Sequence, residues 1–204
     1  GDGRNNAIQV SVASQVSAVF VTRFAYDAPQ IFLVTPSTGP TLGGIPLSIS
    51  GSSFGLGGTV FVGGTVCPVI AGSYSHFSIL CMLPEGRGSA QPVIVSSNGQ
   101  NSSNVYTFQY NVPQVSSVSP SNGPTAGSIS VVIQGQNFGA TGTVTIDGAT
   151  CAPVNPGYSQ NLVECLLPAG RGINRPLVVQ VADQSSSPSN FNFDPPAISS
   201  LTTT

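Results

Sequence analysis

Apolar and polar residues alternate along this chain in short bursts, and no stretch sustains a helical period. "IPLSIS" (45–50) sets Ile45, Leu47 and Ile49 on one side and Pro46, Ser48 and Ser50 on the other. That is the period of two of a half-buried strand. "IFLVT" (31–35) is a short apolar run, and "TVFV" (59–62) leads through Gly63-Gly64 into "TVCPVI" (65–70). "FSILCML" (77–83), "QPVIVSS" (91–97) and "NVYTFQY" (104–110) complete seven predicted strands. Gly63-Gly64, and later Asp147-Gly148, stand where a type I′ hairpin needs positive φ at both central residues. Strands this short, separated by turn signals every 8–12 residues or so, predict a small antiparallel β-sandwich.

The pattern then repeats. Shifted by 84 residues, Pro36, Gly39 and Pro40 fall on Pro120, Gly123 and Pro124. Gly51 and Phe54 fall on Gly135 and Phe138, Cys67 and Cys81 on Cys151 and Cys165, and Gly86-Arg87-Gly88 on Gly170-Arg171-Gly172. Gly3-Arg4 and "TRFAYDAPQI" (22–31) match the closing part of the same unit, and "PPAISSL" (195–201) matches its opening. The expected organisation is therefore the back part of one unit over 1–28, whole units over 29–112 and 113–195, and the start of another over 196–204. Further units are expected on both sides. The junction "YNVPQVSS" (110–117) holds proline and no flexible linker, which predicts units joined end to end with limited bending.

The motif order is specific. "P-x-x-x-x-x-x-P-x-x-G-P-T-x-G" opens each unit, followed by "I-x-G-x-x-F-G", "G-x-x-C", "C-x-L-P-x-G-x-G" and "F-x-Y". This series resembles the IPT/TIG family over essentially the whole chain. The second unit departs mildly, with Phe193 where the first has Tyr110. The resemblance implies tandem immunoglobulin-like β-sandwiches of about seven antiparallel strands each. It also implies the settings in which such domains occur: cell-surface receptors, secreted carbohydrate-active enzymes and DNA-binding transcription factors.

The motif residues have physical work of their own. Gly39-Pro40 and Gly123-Pro124 are expected to make a stiff connection between the first two strands. Gly51 and Gly135 are expected to end or bulge the second strand, and Phe54 and Phe138 to plug the core. Arg87 and Arg171 are expected to bond local carbonyls.

Charge narrows the function. The 204 residues include five arginines, seven acids and no lysine, for a net charge of −2. Nucleic-acid binding needs clustered cations, so DNA and RNA are not expected partners. A membrane-surface patch fails for the same reason, and no apolar run reaches the ~18 residues of a spanning helix. An uncharged β surface lacks the usual guard against edge pairing. It is expected to be covered, either by neighbouring copies or by sugar.

Four cysteines form two pairs with the same separation, and Cys67–Cys81 and Cys151–Cys165 are the expected disulfides. Closing such a loop contributes roughly 3 kcal/mol in the chain-entropy model and implies an oxidising compartment. Buried free thiols are the alternative. Zinc is disfavoured by the lack of any C-x-x-C and by a single histidine, His76, whose counterpart is Gln160. No carboxylate pair recurs between the units, so no acid–base machinery, cofactor or metal is expected, and the chain reads as a non-enzyme. Asn101-Ser102-Ser103 is an N-glycosylation sequon. Serines and threonines beside proline are alternative sugar acceptors or ordinary turn residues.

These features point to an extracellular or cell-surface structural and adhesive array, part of a filament or stalk. Its partners would be neighbouring repeats, other copies of itself, and glycans. A receptor ectodomain and a spacer in a secreted carbohydrate-active enzyme are the competing readings.

Overall fold

A computed structural model describes residues 3–20 and 23–198, in two units that divide after Tyr110. The first unit opens with a ribbon, β1 (Ser11–Val12) and β2 (Gln15–Val16), extended by the antiparallel bridge of Asn6 with Phe24. Its strands then run β3 (Gln30–Thr35), β4 (Thr38–Gly39), β5 (Pro46–Ser52), β6 (Thr59–Val62), β7 (Thr65–Cys67), β8 (Ser78–Met82), β9 (Gln91–Ser97), β10 (Gln100–Asn101) and β11 (Tyr106–Tyr110). They form two layers. One sheet is β3-β5-β8. The other is β4-β11-β9-β6-β7, with β10 folded back on β9.

The alternation seen in the sequence sets which side faces inward. Leu47 and Ile49 of β5 are fully buried, as are Val60 and Val62 of β6 and Val93 and Val95 of β9. Phe54, Phe108 and Tyr110 fill the space between the sheets. Each fully buried side chain of this size contributes roughly 1.5–3 kcal/mol. The Gly63-Gly64 turn between β6 and β7 has φ of 58° and 82°, the two positive values its type demands.

The second unit repeats this plan with β12 (Gln114–Ser119), β13 (Asn122–Gly123), β14 (Ser130–Gln136), β15 (Thr143–Ile146), β16 (Ala149–Tyr158), β17 (Leu162–Leu166), β18 (Arg175–Val181), β19 (Gln184–Ser185) and β20 (Ser189–Phe193). Its β16 changes layers. Residues 149–151 pair with β15, and Ala152, Pro153 and Tyr158 pair with β17. Val131, Ile133, Phe138, Val144, Val179 and Phe191 are its core. Of the expected further unit over 196–204, residues 199–204 lie outside the described residues.

The strand count departs from the expected plan. Each unit carries two additional short strands. One of them, β4 against β11 and β13 against β20, pairs in parallel. Gly39 is buried there, and a Cβ would press on Ile45, Leu83 and the Phe108 ring. The Gly-Pro step is thus a point of close packing as well as a stiff connection. Gly51 and Gly135 are the last residues but one of β5 and β14. The register shift falls on the opposing strand, between Ile31 and Leu33 and between Val115 and Ser117. The sequon lies between β9 and β11, with Asn101 on β10 and Ser102 and Ser103 just past it.

Candidate functional site

The repeated interior begins with the disulfides. Cys67 and Cys81 are bonded with Cα atoms 5.5 Å apart, and Cys151 and Cys165 with Cα atoms 5.4 Å apart. All four are buried. In the first unit the bond ties β7, in one layer, to β8, in the other. In the second it lies where β16 crosses between layers.

Each core also holds a phenylalanine plug, Phe54 in the first unit and Phe138 in the second. A Cβ on Gly51 would collide with the Phe54 ring and the Gln30 carbonyl, and one on Gly135 with the Phe138 ring and the Gln114 carbonyl. The glycine is therefore the floor on which the ring lies. The carbonyl of each plug accepts a hydrogen bond at 2.7 Å, from the Tyr74 hydroxyl in the first unit and the Tyr158 hydroxyl in the second.

The "PxGxG" loop is explained by the closing strand. Gly86 lies against the Tyr110 ring and Gly170 against the Phe193 ring, each too close for a side chain. Phe108 and Tyr110 meet edge to face with centroids 5.3 Å apart, Phe191 and Phe193 at 5.5 Å, and Phe24 and Tyr26 of the opening ribbon at 4.9 Å. In the ribbon these rings are exposed, as are Ile8, Val10 and Val12. The Tyr110 hydroxyl donates to the Pro84 carbonyl, and burial pushes its phenol up to about 12.

Gly3, Gly88 and Gly172 share positive φ (86°, 88° and 91°), and their carbonyls accept from the Tyr26, Tyr110 and Phe193 amides. Arg4 therefore falls at the place of Ser89 and Ile173 and not of the motif arginines Arg87 and Arg171, a correction to the match of Gly3-Arg4 with Gly86-Arg87. Arg4 donates from Nε to the side-chain oxygen of Gln100 at 3.0 Å. At Arg171 it is the backbone carbonyl that is engaged, accepting from Arg175 Nε at 2.9 Å. His76 is exposed and lies edge to face with Phe77. Asn101 is exposed on β10. Among the described residues, no group of three or more His, Cys, Asp or Glu side chains is placed to hold a metal ion. No helix among them is long and apolar enough to cross a membrane.

The outer face of the β3-β5-β8 sheet is where the two units part. Phe32 occupies the bulge of β3 and is 63% exposed; Phe77, whose carbonyl accepts from the Gly51 amide at 2.9 Å, is 64% exposed. Leu33 and Leu80 are also exposed. The corresponding residues of the second unit are Ser116, Asn161, Ser117 and Glu164. There Ser116 bonds the Gln134 carbonyl and Ser130 bonds Glu164. A shallow depression of about 310 Å³ opens between Ser116, Gln134, Gly135, Asn161 and Leu162. Sequence reasoning passed over Phe32 and Phe77, because within one apolar run it could not tell the inward residues from the outward ones.

Comparison with known families decides the kinship. The IPT/TIG domain model matches residues 29–110 and again 113–194. The chain belongs to the IPT/TIG domain family. Relatives include plexin-2 of Caenorhabditis elegans, 29% identical over 192 residues, which cover 86% of this chain and 10% of plexin-2. Human fibrocystin-L is 30% identical over 152 residues, which cover 71% of this chain and 4% of fibrocystin-L. The chain thus spans a tenth or less of the relatives it matches. Among solved structures, the surface glycan-binding protein PbSGBP-B from Prevotella bryantii shares the fold with a TM-score of 0.50 at 12% identity, over 82% of this chain and 42% of that one.

Disulfide-stapled IPT/TIG sandwiches belong to an oxidising setting, and the chain is an extracellular or cell-surface one. What its two whole IPT/TIG units share is interior: staple, plug, glycine floor and tyrosine bond. What they do not share is the face bearing Phe32 and Phe77.

Proposed function

We propose that this chain is a segment of an extracellular structural and adhesive array, in which IPT/TIG units serve as a scaffold and single faces of particular units make contacts. The observation that carries this reading is the split between interior and exterior. A repeated catalytic or ligand site would place the same exposed polar groups in both units, yet His76 meets Gln160, Leu80 meets Glu164 and Phe77 meets Asn161 at matching positions. Two exposed phenylalanines on an uncharged sheet face bury well against a like surface, and a net charge of −2 offers little repulsion between copies. The partner for this face is therefore a second copy of the chain.

Sedimentation velocity over a concentration series tests the reading. The expected result is reversible self-association that disappears in a Phe32→Ser, Phe77→Asn variant, which carries the residues the second unit already tolerates. A chain that stays monomeric throughout the series, or a variant that associates as the parent does, removes the adhesive part. Electron microscopy of native material tests the array part, with extended multi-unit particles expected.

A receptor ectodomain is the second reading, favoured by the similarity to plexin-2. A membrane span and an intracellular signalling domain in the full-length protein, after few units, would select it over the filament.

A further inference from the structure

Gln100 lies on the short strand β10 and is 4% exposed. Both ends of its amide are engaged by the segment that precedes the first whole unit. Its oxygen accepts from Arg4 Nε at 3.0 Å, and its nitrogen donates to the Tyr26 carbonyl at 3.1 Å. The Tyr26 amide in turn donates to the Gly3 carbonyl at 3.0 Å, which closes a ring of contacts through Gly3, Arg4, Gln100 and Tyr26. Beside this ring Gly3 adopts φ +86°, and a Cβ there would collide with the Asn98 side chain at the β9–β10 turn. A single contact would leave the ribbon free to swivel. An amide held at both ends fixes a direction, because the donor end and the acceptor end cannot be exchanged between a guanidinium and a carbonyl. The bond to Arg4 is charge-assisted, and burial of the amide keeps water from replacing it.

We infer that Gln100 is an orientation latch, at which the first whole IPT/TIG unit grips the segment before it through Arg4 and Tyr26. The inference rests on the reading of residues 3–26 as part of a preceding repeat. Gln100 recurs as Gln184, whereas Arg4 stands where the whole units have Ser89 and Ile173, so the guanidinium half of the latch is particular to this junction. Gln100 acts as a positioning residue and takes part in no chemistry.

Proximity of Gly3 and Asn98 reads the latch directly. A Cβ built on Gly3 lies 3.3 Å from Asn98 Cβ, close to the 3.5–4.5 Å or so that a disulfide spans. In the full chain, Gly3→Cys with Asn98→Cys is expected to cross-link under mild oxidation, with the 3–98 peptide pair seen by mass spectrometry. Adding Gln100→Leu is expected to lower the yield several-fold while the melting temperature of the first sandwich stays put. Equal yields with and without Gln100 overturn the latch. The uncross-linked parent supplies a second measurement, free of any strain at position 3. Exchange of the Arg4 Nε proton is expected to be slowed at least about tenfold relative to Gln100→Leu, and exchange at the same rate in both overturns the latch whatever the cysteines do. Neither result bears on whether the native protein is a filament, which microscopy decides separately.

Discussion

The Tyr110 hydroxyl donates to the Pro84 carbonyl at 2.9 Å, while its ring takes the place of any side chain at Gly86. Phe193 repeats the ring over Gly170 without the hydroxyl. The first sandwich therefore carries a titration that the second lacks. Burial raises the Tyr110 phenol from 10.0 to about 12, so the folded state holds its proton longer than the unfolded chain does. The stabilisation is fully present below about pH 10 and is lost as pH rises toward about 12. Urea midpoints followed across that window should fall more steeply for the parent than for Tyr110→Phe. Parallel curves would show that this hydroxyl does not govern alkaline stability.

The staples should act unit by unit. Replacing Cys67 and Cys81 together by serine opens a loop of about 15 residues and should cost roughly 3 kcal/mol in the first sandwich. The Cys151 and Cys165 pair should do the same in the second. Hydrogen exchange, which resolves the units, should show lost protection confined to the edited one.

Plug and floor should behave as one contact. Phe54→Ala should destabilise the first sandwich by about 3–5 kcal/mol. Gly51→Ala should also destabilise it, by forcing the ring off the strand. Because each change removes the same contact, the double variant should lose less than the two single losses combined, and denaturant melts of the four proteins check this. Full additivity would mean the ring does not rest on Gly51.

Asn101 should carry an N-linked glycan when the chain is made in a eukaryotic secretory pathway. Glycopeptide mass spectrometry should find it, and Asn101→Gln should remove it. If sugar shields the uncharged surface, the unglycosylated chain should aggregate at lower concentration; equal dispersion in light scattering would set the shielding idea aside.

The sandwich was legible because burial enforces alternation on one face of each strand, and because glycine pairs mark the hairpin turns. Thr38–Gly39 was not, since two residues are too few to show any period. The inward and outward members of "IFLVT" were also hidden in a run that is apolar throughout. The second unit held the missing signal: Ile31 and Val34 meet Val115 and Val118, whereas Phe32 and Leu33 meet Ser116 and Ser117. Residues that stay apolar in both copies face the core, and those that turn polar face water. Gln100 escaped notice for the opposite reason, as a polar residue near a turn invites no expectation of burial.

Interiors this similar have a bearing on biogenesis. Leu47 and Val131, Ile49 and Ile133, or Val60 and Val144 are close enough in shape that a strand emerging late in synthesis fits the slot meant for its counterpart, and strand exchange is a characteristic failure of repeat proteins. Oxidation of Cys67 with Cys81 closes one sandwich on itself while the next is still being made. A nascent chain oxidised in order thus avoids a competition that a fully reduced, denatured chain must face all at once.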